Sequence, residues 1–533
     1  MTKYFVTGGS GLWNSSSSWA LTSGGVGGSG IPTATDDVIF DINSPACTIS
    51  TTVGVCLSFN ATTYTNTITF TVGLIISGNI TLGASMNFAG AGTLTVNASS
   101  TMTSNGKTLG VPLTLNNLTP ISNIYTLVDN WTINAVFTTT ANANGLTHTI
   151  NGNNIFCLKG FTINTGSSSS SSLTTGSTVI QITGPGNIIT SSNTTGGLGN
   201  NFIINAPGSN IVISGNLYYK TGTFKYIAGT ITTSASSLTI TGSCSLDMNN
   251  GGLNYQTPFS LATTTNSTIT MLSDFYVNSI NLSGGPIING FTIYNQGGMN
   301  AQTGNSSGTT ILVFKGTGTI TGSGNISFPL VFDSGANTIT LAQVTMTSGS
   351  ITYTSGIINA TNLVQISNGM KLSTAGMTFN NLSILGSSAT YTLNGLLSVN
   401  GILLFSNSNY TFNGTSGFTA NTLTYTSTPA TTNTGIILTS GLTYTVTNAL
   451  NLFPVAISTT TQIYLGIKST TPGSQANFIL SPAATQSVGM VQTTDINSSG
   501  GQTIWDWRAG TISNSHNWNV LTTPKTVAHT WTN

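Results

Sequence analysis

The sequence predicts an all-β protein, a parallel β-helix (solenoid) closed by Trp-containing end caps. Three observations predict it: an almost uncharged composition poor in helix formers, a period-two alternation of apolar and polar residues over most of the chain, and an internal repeat. Tandem antiparallel β-sandwiches are the alternative architecture.

Composition narrows the class first. Of 533 residues, 10 are Lys or Arg and 9 are acidic, so 4% of the chain is charged against roughly 25% in soluble domains. All nine acids are Asp, at 36, 37, 41, 129, 247, 274, 333, 495 and 506, and Arg508 is the only Arg. Long helices draw on Glu, Lys and Arg, whereas Thr and Ile favour pleated strands and Asn and Gly the turns between them. Disorder would require few aliphatics and a high net charge, but 38% of the chain is hydrophobic and the net charge is +1. A charge near zero removes long-range attraction to nucleic acid. No apolar run approaches the roughly 18 residues of a membrane span. Neither nucleic acid nor membrane insertion is therefore expected. Met1 to Gly9 contains no apolar signal-like core, which leads to the expectation of release with an assembled particle or through a dedicated secretion machine.

The alternation divides the chain into three zones. Residues 1–60 are read as an N-terminal cap or attachment region, with Trp13, Trp19, a Gly-rich run from Gly24 to Gly30, and Pro32 leading into Asp36-Asp37-Val38-Ile39-Phe40-Asp41. Residues 61–450 are read as the repeat solenoid, in runs such as Thr67-Ile68-Thr69-Phe70-Thr71-Val72 separated by Asn, Gly and Ser clusters. Residues 451–533 are read as a C-terminal β module or cap, where Trp505, Trp507, Trp518 and Trp531 lie. Open sheet edges template aggregation, so Trp13, Trp19, Trp505 and Trp518 are the expected packing residues of the two caps.

At an offset of 127, Gly222 to Ile231 matches Gly349 to Ile358 without a gap, with Gly, Tyr, Gly and Ile coinciding, and Gly208-Ser209-Asn210 meets Gly335-Ala336-Asn337. A β-helix accommodates this, since its coils place apolar residues inward and Thr, Ser and Asn outward. With about 20 to 25 residues per coil and about 4.8 Å between coils, the middle zone would form about 16 to 20 coils over about 80 to 95 Å. Asn-Gly pairs at 105, 151, 289, 368, 394, 400 and 413 keep hairpin-connected sandwiches open.

Few residues could carry chemistry, so no catalysis, cofactor or metal is expected. Asp36-Asp37 is the only adjacent carboxylate pair, and it fits a turn entering a strand better than glycoside cleavage. Between 60 and 450 the acids are Asp129, Asp247, Asp274 and Asp333; Asp247 and Asp274 would sit about one coil apart and are the one place an active site could hide. A polysaccharide-cleaving β-helix is thus the minor alternative. Gly304-Asn305-Ser306-Ser307-Gly308 matches a nucleophile elbow in form, but His148, His516 and His529 have no helical context. Cys47, Cys56, Cys157 and Cys244 lack a C-x-x-C metal spacing; Cys47 and Cys56 read as buried free thiols, with a local disulfide as the other reading. Tyr218, Tyr219, Tyr226 and Tyr353, set among Asn and Thr, are the candidate sugar-stacking residues, with aromatic ladders inside the coil as the competing explanation.

The opening Val6-Thr7-Gly8-Gly9-Ser10-Gly11-Leu12-Trp13, then Ser18-Trp19 and Ile31-Pro32-Thr33 through Asp36-Asp37-Val38-Ile39-Phe40-Asp41, resembles the start of Gly/Thr/Ser-rich β-repeat proteins of bacteriophages and environmental viruses. Ser469 to Ser474, Asp495 to Gly501 and Trp518 resemble the end of the same group. The resemblance implies a structural virion surface protein, a fibre, spike or decoration protein, and no catalytic residue. It also implies other virion proteins and further copies of the chain as partners, a trimer being common in such fibres, with host glycans as targets. Bacterial cell-surface adhesins and surface-array subunits share the Trp-to-Pro-to-Asp-Asp opening and form the alternative.

Overall fold

The computed structural model describes residues 1–117, 121–141, 147–165, 174–190, 197–233, 237–248, 260–263, 266–302, 304–347, 349–360, 362–367, 369–386, 388–407, 409–426, 434–452 and 463–521. Among these, short strands predominate, the only helical element is the 3-10 turn Ser16–Ser18, and there is no α-helix. The chain divides into two compact units, Met1–Asn278 with Asn289–Phe291, and Ser279–Ile288 with Thr292–Asn533. Each is a parallel β-solenoid.

In the first unit an inward column runs Leu74, Leu94, Leu113, Phe137, Phe161, Ile188, Ile213, each residue in register with the next and each buried. Successive partners lie 19 to 27 residues apart in sequence, close to the coil length read from the alternation. Burying one such side chain contributes about 1.5 to 3 kcal/mol, so the column stabilises each coil through its neighbours. Aromatic rungs stack in the same way: Phe137 on Phe161 at 5.5 Å and Phe202 on Phe224 at 5.7 Å between centroids. The register passes residue 60 without a break, since Ser58–Asn60 pairs with both Asp37–Ile39 and Ile80–Thr81.

The second unit repeats the pattern with Ile293, Leu312, Leu330, Ile351, Leu372 and Leu393 as a buried inward column. Here too the register crosses the expected zone boundary: Tyr425 pairs with Leu452, and Leu452 with Val488. The parallel pairing excludes tandem antiparallel sandwiches. Asn-Gly pairs at 151, 289 and 413 close strands rather than hairpins, with Gly152, Gly290 and Gly414 at φ of 98°, 107° and 114°. A Cβ on Gly152 would stand 2.2 Å from the Leu127 carbonyl oxygen of the coil before, so the stacking itself requires glycine there.

The 127-residue repeat is a structural one. Thr223–Thr233 and Ser350–Asn359 both bend at a glycine of positive φ, Gly229 at 123° and Gly356 at 119°. Tyr226 and Tyr353 donate their hydroxyls to those glycines' carbonyls. The preceding strand is one residue out of step with the sequence match. Asn210 pairs with Thr230 and Thr338 with Ile357, so Asn210 corresponds to Thr338 and not to Asn337.

Candidate functional site

The outward columns are the solenoid's principal surface. In the first unit Thr95, Thr114, Thr138 and Thr162 follow one another in register on four coils. In the second, Thr378, Ser398, Thr419 and Thr445 do the same. A further column, Asn305, Asn325, Thr345, Gln365, is cross-linked by side chains: the Asn325 amide donates to Asn305 at 2.6 Å and the Thr345 hydroxyl to Gln365 at 3.1 Å. Hydroxyl and amide ladders therefore take the place of charge on these faces.

The carboxylates are committed one by one. Asp36 accepts from the Thr33 backbone N–H at 2.9 Å and hydroxyl at 2.8 Å, and pairs with the buried Lys3 at 3.4 Å. Burial alone would raise its pKa, but those hydrogen bonds and the lysine charge outweigh it and bring the value to about 2. Asp129 accepts from the Ser104 backbone N–H. Asp247 pairs with Lys225 of the preceding coil at 2.7 Å, and Asp333 with Lys315 and the Ser355 hydroxyl. Leu246 is in register with Met271, which sets Asp247 beside Leu272 and two positions short of Asp274. The one pair that sequence spacing left open therefore lies on a diagonal, one coil across and two positions along the strand, with Asp247 already ion-paired to Lys225. Ser306 of the elbow-like stretch lies buried in the strand Asn305–Ser307, with no strand-to-helix turn to present it. Cys47, Cys56, Cys157 and Cys244 are buried free thiols. Among the described residues no group of three His, Cys, Asp or Glu side chains could hold a metal ion.

For the candidate sugar-stacking tyrosines, burial favours the competing explanation, aromatic rings inside the coil. Tyr218, Tyr219 and Tyr226 are buried, and the Tyr219 hydroxyl donates inward to the Asn200 carbonyl at 2.9 Å. Tyr353 is half-buried and spends its hydroxyl on Gly356. The rings of Tyr218, Tyr219 and Tyr226 pack within the coil and its corners and offer no open face to a ligand.

The cap tryptophans divide. Trp13 and Trp19 are fully buried and meet edge to face at 4.9 Å, with Phe5 and Phe40 against them; the Trp19 indole N–H donates to the Trp13 carbonyl at 2.7 Å. The Gly-rich run belongs to the same packing, since a Cβ on Gly27 would fall 1.7 Å from the Ser17 carbonyl oxygen. Trp518 is also buried, beside Phe478 at 6.0 Å. Trp505 is 42% exposed, which corrects the expectation that it packs the cap. Trp531 and His529 lie outside the described residues.

The reason is local. Ile504–Trp507 pairs in parallel with Trp518–Leu521, and within it Ile504 and Asp506 point inward while Trp505 and Trp507 point outward. Asp506, fully buried, accepts from the Val491 backbone N–H at 3.2 Å and from the Trp518 indole N–H at 3.4 Å. Burial pushes its pKa up to about 7, more than those donors lower it. Arg508 lies over the Trp507 ring at 4.4 Å. Sequence reasoning weighed Trp507 and Arg508 for no surface role, although Trp-x-Trp spacing on a strand puts both rings on one face.

No family model, no curated protein and no solved structure matches the chain.

Proposed function

We propose that this chain is a structural protein of a virion surface, a fibre, spike or decoration protein that presents a neutral β-repeat surface for assembly or host attachment. The observation that carries this reading is the pairing of uncharged hydroxyl and amide columns on successive coils with carboxylates held singly by lysines or backbone donors. Glycoside hydrolysis requires two carboxyls about 5 to 9.5 Å apart with one pKa raised; of the aspartates in the repeat, Asp247 and Asp333 are each paired with a lysine. A surface of repeated weak sites acts through avidity once copies are arrayed. The placement on a virion is supported by the resemblance of the opening and closing segments to phage and viral β-repeat proteins. The same opening in bacterial adhesins supports a cell-surface subunit as the second reading.

Mass spectrometry and immunogold labelling of gradient-purified virus particles test the placement. The chain should co-sediment with the particles and label their outside; recovery in the host cell envelope alone would overturn the virion reading in favour of the adhesin.

A further inference from the structure

Most of the solenoid surface is hydroxyl and amide, but the C-terminal ribbon carries two outward tryptophans. Trp505 and Trp507 project from the same face of Ile504–Trp507, two residues and about 6.6 Å apart along the strand. Exposure of an indole at this level leaves a large apolar ring in water, against the tendency that buries Trp13, Trp19, Trp131 and Trp518 in this chain.

The platform is held from beneath and from the side. Asp506 fixes the strand inward through Val491 and Trp518. The Trp505 backbone N–H donates to the Gln486 side-chain oxygen at 2.8 Å, and the Gln486 amide donates to the Thr503 carbonyl at 3.0 Å. A ring presented on an anchored strand loses little freedom when a ligand settles on it. Polar groups rim the rings. Asn519 is exposed and in register with Trp505, and the Arg508 guanidinium, stacked on Trp507, offers planar donors at its edge.

We propose that this face binds a neutral carbohydrate chain, with a pyranose ring laid on the Trp505 indole and its hydroxyls meeting Asn519 and the Trp507–Arg508 pair. The assignment rests on the reading of the protein as an attachment surface and names the site for it. A pyranose has an apolar C–H face and a polar rim, which matches an aromatic platform edged by an amide and a guanidinium. One cation cannot supply the several phosphate contacts that nucleic acid binding draws on.

Isothermal titration of the full chain with cellohexaose, maltohexaose and chitohexaose, followed in parallel by tryptophan emission, tests the site. Saturable binding to at least one of the three is expected, weakened tenfold or more in Trp505→Ala, partly retained in Trp505→Phe and unchanged in Tyr353→Phe, with the circular dichroism of all variants alike. Absence of saturable binding to all three, or binding that Trp505→Ala keeps within twofold, overturns the proposal. Self-association that Trp505→Ala abolishes, without sugar binding, overturns it in favour of a second copy of the chain on this face. The particle experiment stands apart: binding without particle association removes the virion reading and keeps the site, while particle association without binding does the reverse.

Discussion

The Tyr353 hydroxyl donates to the carbonyl of Gly356 at 2.7 Å, three residues further along the same bent strand. Tyr226 and Gly229 form the same pair in the first unit, so the motif fastens a corner where the backbone must take a positive φ. Tyr353→Phe should cost about 0.5 to 1.5 kcal/mol, the net worth of one hydrogen bond. Gly356→Ala should cost more, about 1 to 3 kcal/mol, because it adds backbone strain and its Cβ would fall 1.9 Å from the Ser334 hydroxyl oxygen. Urea unfolding of the two variants checks the order; equal midpoints would remove the corner's structural role.

Trp19 and Trp505 should respond in opposite ways to truncation. Trp19 is buried among Phe5, Trp13 and Phe40, so Trp19→Ala should cost about 3 to 5 kcal/mol and raise hydrogen exchange over residues 2–60. Trp505→Ala should stay within about 0.5 kcal/mol of the parent, as surface substitutions do. Melting curves with exchange mass spectrometry separate the two, and a Trp505→Ala loss equal to that of Trp19→Ala would return Trp505 to the cap.

Two buried aspartates give stability opposite dependences on pH. Asp506 has its folded pKa raised from 3.8 to about 7 by burial, so the folded state holds its proton more tightly than the unfolded chain. Its contribution is fully present below about pH 4 and declines as pH rises to about 7. Asp36 has its folded pKa lowered to about 2, so its contribution is present above about pH 4 and is lost as pH falls towards 2. Urea unfolding followed by tryptophan emission at pH 3, 5 and 8 should show the Asp506→Asn variant flatter than the parent between 5 and 8. An unchanged slope in that variant would contradict the assignment.

The solenoid was legible because alternation reports which side of a strand faces the core, and Leu74, Leu94 and Leu113 follow it without exception. The Tyr226 and Tyr353 corners were legible through the repeat, since stacking constrains glycine and tyrosine together. Alternation fails at Leu217, Tyr218 and Tyr219, which are consecutive in one strand and all buried, so only the aromatic-ladder explanation, and not the period of two, places those rings inside. It also fails where a carboxyl takes the inward position. At Ile504-Trp505-Asp506-Trp507 the buried hydrogen bonds of Asp506 turn both tryptophans outward, the reverse of what side-chain hydrophobicity suggests. Neither the virus particle nor the cell surface is written in these packing rules, because both need the same coil.

The claim that this surface is presented and turns nothing over is tested most directly by incubating the pure protein with host surface polysaccharide and following both retention and new reducing ends. Retention without release is the predicted result, unchanged in Asp247→Asn and Asp274→Asn. Sustained release of reducing ends that either substitution abolishes would contradict it.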